Sequence, residues 1–285
     1  MKPIEISGLL KGPTTSDNSL IECKNLLLAS KGDPLFGFLS LSLEELGDAA
    51  LLDREETKFA LQENKMGSLL AGLESEYNIL EIQNRKSFNY LSVYLDTPDR
   101  IFYHQHQAGS RPRWKIRLRT YLNSGISFLE VKRKDNRNQT HKTRLQINLP
   151  IDNESIGNGL LQRANYPGIL IDLKPVLRTY YSRMTLIHKT KGERITLDRQ
   201  LRFSDNLRSQ SLSNLVVVEV KQDRFNPRSP FLIRLNQIGV RPTRFSKYCL
   251  GSLLLDRSLK HNRFKPILHQ LMPLISGGST HEWTL

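Results

Sequence analysis

The sequence predicts an α+β protein in which an eight-stranded antiparallel β-sheet closes into a barrel with flanking helices. Eight segments have the composition or the two-residue alternation of strands, and polar turns of hairpin length join the central ones. Three of these segments alternate charged residues with apolar or small ones, so that one face of each strand is charged. They are residues 115–119, 130–134 and 219–221.

The charged face is expected to point into the barrel and to bind a polyanion. The 285 residues include 42 Lys and Arg against 28 Asp and Glu, a formal net charge of +14, and such an excess favours nucleic acid, polyphosphate or an anionic membrane surface. Surface lysines that keep a protein soluble would give the same total. The alternation favours an interior site, because Glu130 and Glu219 share rows with Lys and Arg. Carboxylates lie beside bound phosphate where a divalent cation bridges them.

The first third of the chain predicts an extension followed by short helices and strands. Residues 1–38 are expected to be loosely structured. Ser42, with Glu45 three residues later, is a capping-box pattern that opens a short helix over residues 41–46. Further elements are expected at residues 58–61 (strand), 65–73 (amphipathic helix) and 90–95 (strand).

The centre of the chain predicts an antiparallel meander of three strands. The strands span residues 114–121, 126–134 and 141–149, and the connectors 123–125 and 135–138 are polar turns of hairpin length. The remainder predicts a long loop at residues 200–214. It also predicts strands at 180–187, 194–198 and 215–221, and helices at 229–238 and 246–254.

Eight strands are enough to close a barrel that is just wide enough for side chains or one slender ligand. Lysines and arginines lining such a bore would repel one another and lose hydration, and an elongated anion would relieve both effects. The alternative is a flat α+β sheet with one solvated basic face. Cys23 and Cys249 have no metal-binding or CxxC spacing, so neither a disulfide framework nor a zinc site is indicated.

Nine phrases, in order along the chain, resemble the VTC domain, the polyphosphate-polymerase branch of the triphosphate tunnel metalloenzymes. Each phrase is weak alone, but their shared order over residues 40–265 is specific. They are residues 51–59, 94–97, 115–119, 128–134, 142–144, 181–183, 194–198, 218–221 and 245–251. The resemblance implies a tunnel domain over residues 39–265 and a C-terminal tail over residues 266–285.

The resemblance also implies roles for individual residues. Glu219 becomes the carboxylate that binds Mn²⁺ or Mg²⁺, and Glu130 and Glu56 are further candidates. For Glu130, an ion pair with a neighbouring Lys would serve equally well. Ser246 and Lys247 would close the tunnel floor from the final helix and contact phosphate. The basic residues assigned to the reacting phosphates are Lys58, Arg117, Arg119, Lys132, Lys142, Arg183 and Arg194, and those assigned to further phosphate contacts are Lys115, Lys134, Arg144 and Lys221.

One position departs from the wider superfamily, whose pattern opens with Glu-x-Glu-x-Lys. Here Arg54 stands in the first glutamate's place, ahead of Glu56 and Lys58. This fits the VTC branch better than the thiamine-triphosphatase and adenylate-cyclase branch, and it leaves the number of metal ligands open.

The function implied is a metal-dependent phosphotransferase that binds ATP, triphosphate or polyphosphate and extends a polyphosphate chain. A triphosphatase of the same fold and a non-catalytic polyphosphate-binding module remain alternatives. For Glu219, a salt bridge to Lys221 or Lys132 is the alternative to metal binding. A cytoplasmic location is expected, because the chain has no segment resembling a signal peptide and no apolar run of about 18–20 residues. Any membrane recruitment would then need a partner protein.

Other sites are disfavoured by the sequence. His104 and His106 lack a third ligand nearby, lie near an expected strand end and read as structural or surface histidines. Tyr180 and Tyr181 are expected to pack rather than stack on bases. Nucleic-acid binding is not expected, since RNA-binding sheets carry aromatic rows where this chain has charged ones. No Gly-rich phosphate loop and no plausible Ser/His/Asp set is present.

Overall fold

One sheet contains all eleven strands found in the described part of the chain. The structure is a computed structural model that describes residue 35 and residues 37–45, 55–148 and 154–275. The strands are β1 (Ser40–Leu41), β2 (Glu55–Gln62), β3 (Tyr77–Leu80), β4 (Phe88–Asp96), β5 (Arg113–Tyr121), β6 (Ser127–Lys134), β7 (Thr140–Ile147), β8 (Lys174–His188), β9 (Glu193–Ser204), β10 (Ser209–Leu212) and β11 (Leu215–Gln222).

The main path of the sheet runs β2-β11-β9-β8-β4-β5-β6-β7, and every neighbouring pair in it is antiparallel. Strand β10 pairs with β9, β3 pairs with β8, and β1 runs parallel to β3. Strands β2 and β7 end the path, and no pairing joins them within the described ranges. The antiparallel sheet is therefore confirmed, whereas closure into a barrel stays a prediction.

Helices cover the outer face of the sheet as two apolar layers. They are α1 (Met66–Leu70), α2 (Ile101–Ala108), α3 (Glu154–Arg163), α4 (Pro230–Gln237), α5 (Lys247–Leu255) and α6 (Lys265–Ile275). One apolar cluster joins residues of α2, α3, α5 and α6 to β4, β5 and β6, and the other joins α1 and α4 to β2, β9 and β11. Among the described helices, none combines the length and hydropathy needed to cross a membrane.

Strand β5 shows why the charged residues face away from these layers. Its apolar residues Ile116 and Leu118 are fully buried in the cluster beneath the helices. Because side chains alternate along a strand, Lys115, Arg117 and Arg119 lie on the opposite face, where they are only partly buried. The predicted pattern of an apolar outer face and a charged inner face is confirmed for this strand.

The sheet curls so that distant strands face one another across the charged side. The carboxylate of Glu219 on β11 acts electrostatically on Lys132 of β6, although β9, β8, β4 and β5 separate these strands along the sheet. Lys132 in turn acts on Lys58 of β2. Such interactions fall off with distance, so the charged residues of β2, β6 and β11 lie near one another, which favours a curled sheet over a flat one.

Several expectations about elements need correction. Residues 200–214 are not a long loop, because β9 continues through Leu201 and Phe203, which are both buried, and β10 folds back on it. Ser42 and Glu45 do form the reciprocal capping bonds, but Leu41 pairs in β1, residues 43–45 form a turn, and residues 46–54 lie outside the described ranges.

Helices α2, α3 and α6 and strands β1, β3 and β10 were missing from the sequence-based interpretation. His104 and His106 therefore lie on a helix rather than near a strand end. Residues 1–34, in the expected extension, lie outside the described ranges, and α6 spans the expected boundary between the tunnel domain and the tail. The domain limits stay predictions.

Candidate functional site

All sixteen residues predicted for the site lie in the described part of the chain, and the fourteen that lie on strands share one face of the sheet. One row of cross-strand pairs shows the arrangement: Lys115 on β5 pairs with Lys132 on β6, which pairs with Lys142 on β7. Side chains opposite each other on antiparallel strands are close neighbours. The inner face is defined by eleven basic residues and four carboxylates, namely Glu56, Lys58, Lys115, Arg117, Arg119, Glu130, Lys132, Lys134, Lys142, Arg144, Arg183, Arg194, Asp198, Glu219 and Lys221.

Glu219 is held between two lysines. The Nζ of Lys58 donates to its Oε2 at 2.7 Å, and the Nζ of Lys221 lies 2.6 Å from its Oε1. Glu56 pairs with the same Lys58 ammonium. Burial opposes ionisation of Glu219, but the two lysines outweigh it and hold the pKa of its carboxyl well below the usual range. The salt-bridge alternative is thus present, with Lys58 and Lys221 as the partners rather than Lys132.

The arginines of β5 converge on Glu130. Arg117 donates from Nε to Glu130 Oε2 at 2.7 Å and from a terminal nitrogen to the hydroxyl of Tyr94 at 3.3 Å. Arg119 lies 3.7 Å from the other oxygen of Glu130. Its Nε is buried and finds no acceptor among the described residues. A buried donor without a partner is unfavourable, so an anion at this position would satisfy it.

Asp198 organises a second group of cations and was not singled out from the sequence. Its carboxylate accepts two bonds from Arg183, at 2.6 and 2.8 Å, and pairs with Lys247 from helix α5. Burial opposes ionisation, but the two cations lower the pKa of Asp198 to about 2. The alternation of Arg194, Thr196 and Asp198 along β9 was the signal that places this carboxylate on the inner face.

The start of helix α5 reaches the inner face. Ser246 is its N-cap, and the Ser246 hydroxyl oxygen accepts from the backbone N–H of Cys249 at 3.3 Å and from Lys115 Nζ at 3.1 Å. The positive end of a helix dipole attracts anions. Gly251 allows the close approach, because a Cβ there would overlap Phe203 and lie 2.9 Å from Leu177. The position predicted for Ser246 and Lys247, at one end of the charged interior, is consistent with these contacts.

The pKa values of three lysines reflect the crowding of cations on the inner face. Loss of hydration is the largest cause that lowers the pKa of the partly buried Lys58 and Lys115 and of the more exposed Lys132, each to about 8. Neighbouring ammonium groups add to the shift, since Lys132 acts on both Lys58 and Lys115. The interior therefore disfavours its own positive charge, and a bound polyanion would reverse this.

His106 stands beside the same cations but does not share their charge. Burial, and then Lys115 and Arg113, lower its pKa to about 2, so its imidazole is neutral at physiological pH. In the described part of the chain, no three His, Cys, Asp or Glu side chains come together as a metal site. Glu56 and Glu219, which both contact Lys58, are the pair of predicted metal ligands that the structure brings together.

Comparison with known proteins gives one family. The sequence pattern of the VTC domain matches residues 53–256. No curated protein matches the sequence.

Similar solved structures resemble the chain only distantly. The Hippeastrum adenylyl cyclase-like protein HpAC1, described as having a dominant triphosphatase activity, is 15% identical with a TM-score of 0.42, over 74% of this chain and 100% of that one. A proposed adenylate cyclase from Vibrio parahaemolyticus is 14% identical with a TM-score of 0.40, over 70% and 99%. The PH1012 protein from Pyrococcus horikoshii is 14% identical with a TM-score of 0.35, over 64% and 87%.

These TM-scores all lie below 0.5, so the family assignment depends on the sequence match. That match covers well over half of the chain and includes every strand of the inner face. This chain belongs to the VTC domain family.

Proposed function

We propose that the protein is a polyphosphate polymerase that transfers the γ-phosphoryl group of ATP to the end of a polyphosphate chain. The observation that carries the proposal is the inner face, where eleven basic side chains from seven strands share one side of the sheet and Lys247 approaches them from α5. A phosphate chain carries negative charge along its whole length, so it matches a lining of this length and sign. Membership of the VTC domain family supports the same conclusion.

Arginine and lysine side chains contribute to phosphate binding in different ways. Arg117, Arg119 and Arg183 present planar forks that suit two oxygens of one phosphate. Lys58, Lys115 and Lys132 supply point charges that a phosphate chain would keep protonated. Phosphoryl transfer needs positioning and charge stabilisation more than a covalent partner, and this lining provides both.

The transfer itself is a substitution at the γ-phosphorus. The bond from the γ-phosphorus to the bridging oxygen breaks, ADP leaves with the electron pair, and a terminal oxygen of the polyphosphate forms the new P–O bond. Basic side chains on both sides of the transferred group stabilise the charge on the leaving and attacking oxygens. Water in place of the chain terminus would give the triphosphatase reaction.

The residues present fit a divalent cation in one place. Glu56 and Glu219 offer carboxylate oxygens, the donors that Mg²⁺ and Mn²⁺ prefer, and substrate phosphates would complete the shell. Both carboxylates already converge on a cation, the ammonium of Lys58. Glu130 contacts Arg117 and Arg119 instead and shares no cation contact with Glu56 and Glu219 among the described residues. When bound, the metal would neutralise charge on the transferred group.

The proposal includes closure of the sheet into a barrel and a cytoplasmic location. In a closed sheet, β2 and β7 would meet around the ligand. Every inner-face cation could then contact the same polyphosphate chain. The reaction is placed in the cytoplasm, where ATP is available, and a membrane-associated partner stays a prediction from the resemblance.

Incubation of the purified protein with ATP and Mn²⁺ tests the proposal. A polymerase gives a ladder of polyphosphate on a gel with little free phosphate. Free phosphate without a ladder would identify a triphosphatase, and polyphosphate binding without turnover would identify a binding module. Either result would overturn the polymerase assignment.

A further inference from the structure

Four aromatic side chains form a cluster at the end of the inner face next to the β5–β6 turn. We call Tyr90, Tyr121, Phe128 and Tyr181 the aromatic end. Tyr90 stacks parallel to Tyr181 with ring centroids 5.2 Å apart, Tyr121 lies 4.9 Å from Tyr90, and Phe128 lies 5.7 Å from Tyr121. The rings therefore form one continuous group across β8, β4, β5 and β6.

The aromatic end continues the rows of phosphate-binding candidates. Tyr121 stands two residues after Arg119 on β5, and Phe128 stands two residues before Glu130 on β6. The two-residue period of a strand places each aromatic ring on the same face as its charged neighbour. Tyr121 and Phe128 are also partly exposed, unlike the buried Tyr181. They are the rings that a ligand can reach.

Guanidinium groups join the aromatic end to the charged interior. Arg119 and Arg183 lie over the Tyr90 ring at 5.7 and 5.4 Å, and Arg144 lies over Phe128 at 5.1 Å. Along β5 the inner face thus changes from an aromatic ring at Tyr121, through two arginines, to the ammonium group of Lys115. A ligand with a flat apolar end and a phosphate tail matches this order.

We infer that the aromatic end binds the base of a nucleoside triphosphate, with the base stacked on Tyr121 and Phe128. The inference rests on the proposed function, since it places the triphosphate along Arg119, Arg183 and the lysines beyond them. Stacking of a base on an aromatic side chain contributes to affinity for every base, because each has a π-face. The guanidinium of Arg144 adds a second planar surface beside Phe128. The β- and γ-phosphates then point toward Lys115 and helix α5.

Binding of ATP and inorganic tripolyphosphate to the full chain separates the base from the phosphates. Tyr121→Leu and Phe128→Leu should each weaken ATP binding by about ten-fold and leave tripolyphosphate binding within about two-fold. Tyr121→Phe keeps the ring and should retain wild-type affinity for both. Tyr180→Leu is the matched control, because Tyr180 is a partly buried tyrosine of β8 that packs against the apolar cluster. It should change neither affinity.

A fluorescent analogue gives a readout in the wild-type protein. An ATP analogue whose base is 2-aminopurine should lose fluorescence on binding, because stacking on an aromatic ring quenches it, and Tyr121→Leu should restore the signal at saturation. Equal losses for ATP and tripolyphosphate, or no quenching, would overturn the inference. Failure of wild-type protein to bind tripolyphosphate would instead overturn the proposed function.

Discussion

Replacement of Asp198 by Asn is expected to destabilise the protein and to loosen two phosphate-binding cations at once. Asp198 is 2% exposed, and its carboxylate holds both Arg183 and Lys247. Asparagine keeps the size of the side chain but removes its charge. The variant would leave two partly buried cations facing each other without a counterion, and their repulsion should displace Lys247 and the start of helix α5.

Two independent estimates give the size of the effect. Arg183 and Lys247 lower the pKa of Asp198 from 3.8 to about 2 despite its burial, and at about 1.4 kcal/mol per unit this corresponds to about 2 kcal/mol of stability at pH 7. Removal of one partner from a buried ion pair lowers the free energy of unfolding by about 3–5 kcal/mol in other proteins. A loss of about 2–5 kcal/mol is therefore expected.

The assay is urea unfolding of wild type and Asp198→Asn at pH 7, with Asp99→Asn as the control. Asp99 is exposed between β4 and α2, so its substitution should change stability by less than about 0.5 kcal/mol. Because the folded pKa of Asp198 lies below its unfolded value, its contribution is complete above about pH 4. It is lost as the pH falls from 3.8 toward about 2.

Equal stability of Asp198→Asn and wild type at pH 7 would refute the reasoning. The same would follow if the variant lost stability but bound tripolyphosphate with unchanged affinity, since Arg183 and Lys247 would then not depend on Asp198 for their positions.

Three further predictions follow from the site. The pKa values of about 8 for Lys58, Lys115 and Lys132 lie below the unfolded value of 10.5. The ligand-free protein should therefore gain stability between about pH 8 and 10.5, while its affinity for tripolyphosphate falls. Thermal melts measure the stability and calorimetry measures the affinity, and a rise or fall of both together would contradict this prediction. Gly251→Val should displace α5 from Phe203 and lower both the melting temperature and turnover; a wild-type melting temperature would count against the close approach. Glu219→Gln should abolish Mn²⁺-dependent turnover and retain tripolyphosphate binding in EDTA; full turnover of wild type in EDTA would exclude the metal role.

Local patterns of sequence were sufficient to predict the strands that carry the inner face. Apolar residues alternate with charged ones over residues 113–119 of β5 and 129–132 of β6, so both the strands and the direction of Lys115, Arg117 and Lys132 followed from a two-residue period. The helices predicted at residues 229–238 and 246–254 are also present as α4 and α5, and the structure shows that Ser229 and Ser246 cap them.

Features that depend on distant parts of the chain were not predictable in this way. Helix α2 has no clear apolar period, and the buried carboxylate of Asp96 anchors its start by accepting from the backbone N–H groups of Phe102 and Tyr103. The partner of Glu219 that sequence reasoning missed, Lys58, lies 161 residues away. The role of Asp198 depends on a lysine from a later helix, so no local pattern reveals which of the inner-face carboxylates organises the cations.

Titration of tripolyphosphate into wild type, Arg119→Ala and Arg133→Ala tests the central claim most directly. Arg119 and Arg133 lie on neighbouring strands but on opposite faces of the sheet. If the inner face is the polyanion site, Arg119→Ala should weaken binding by about 1.5–3 kcal/mol, the scale of a charge-assisted hydrogen bond, and Arg133→Ala should leave it unchanged. Equal effects of the two substitutions, or none from Arg119→Ala, would contradict the account.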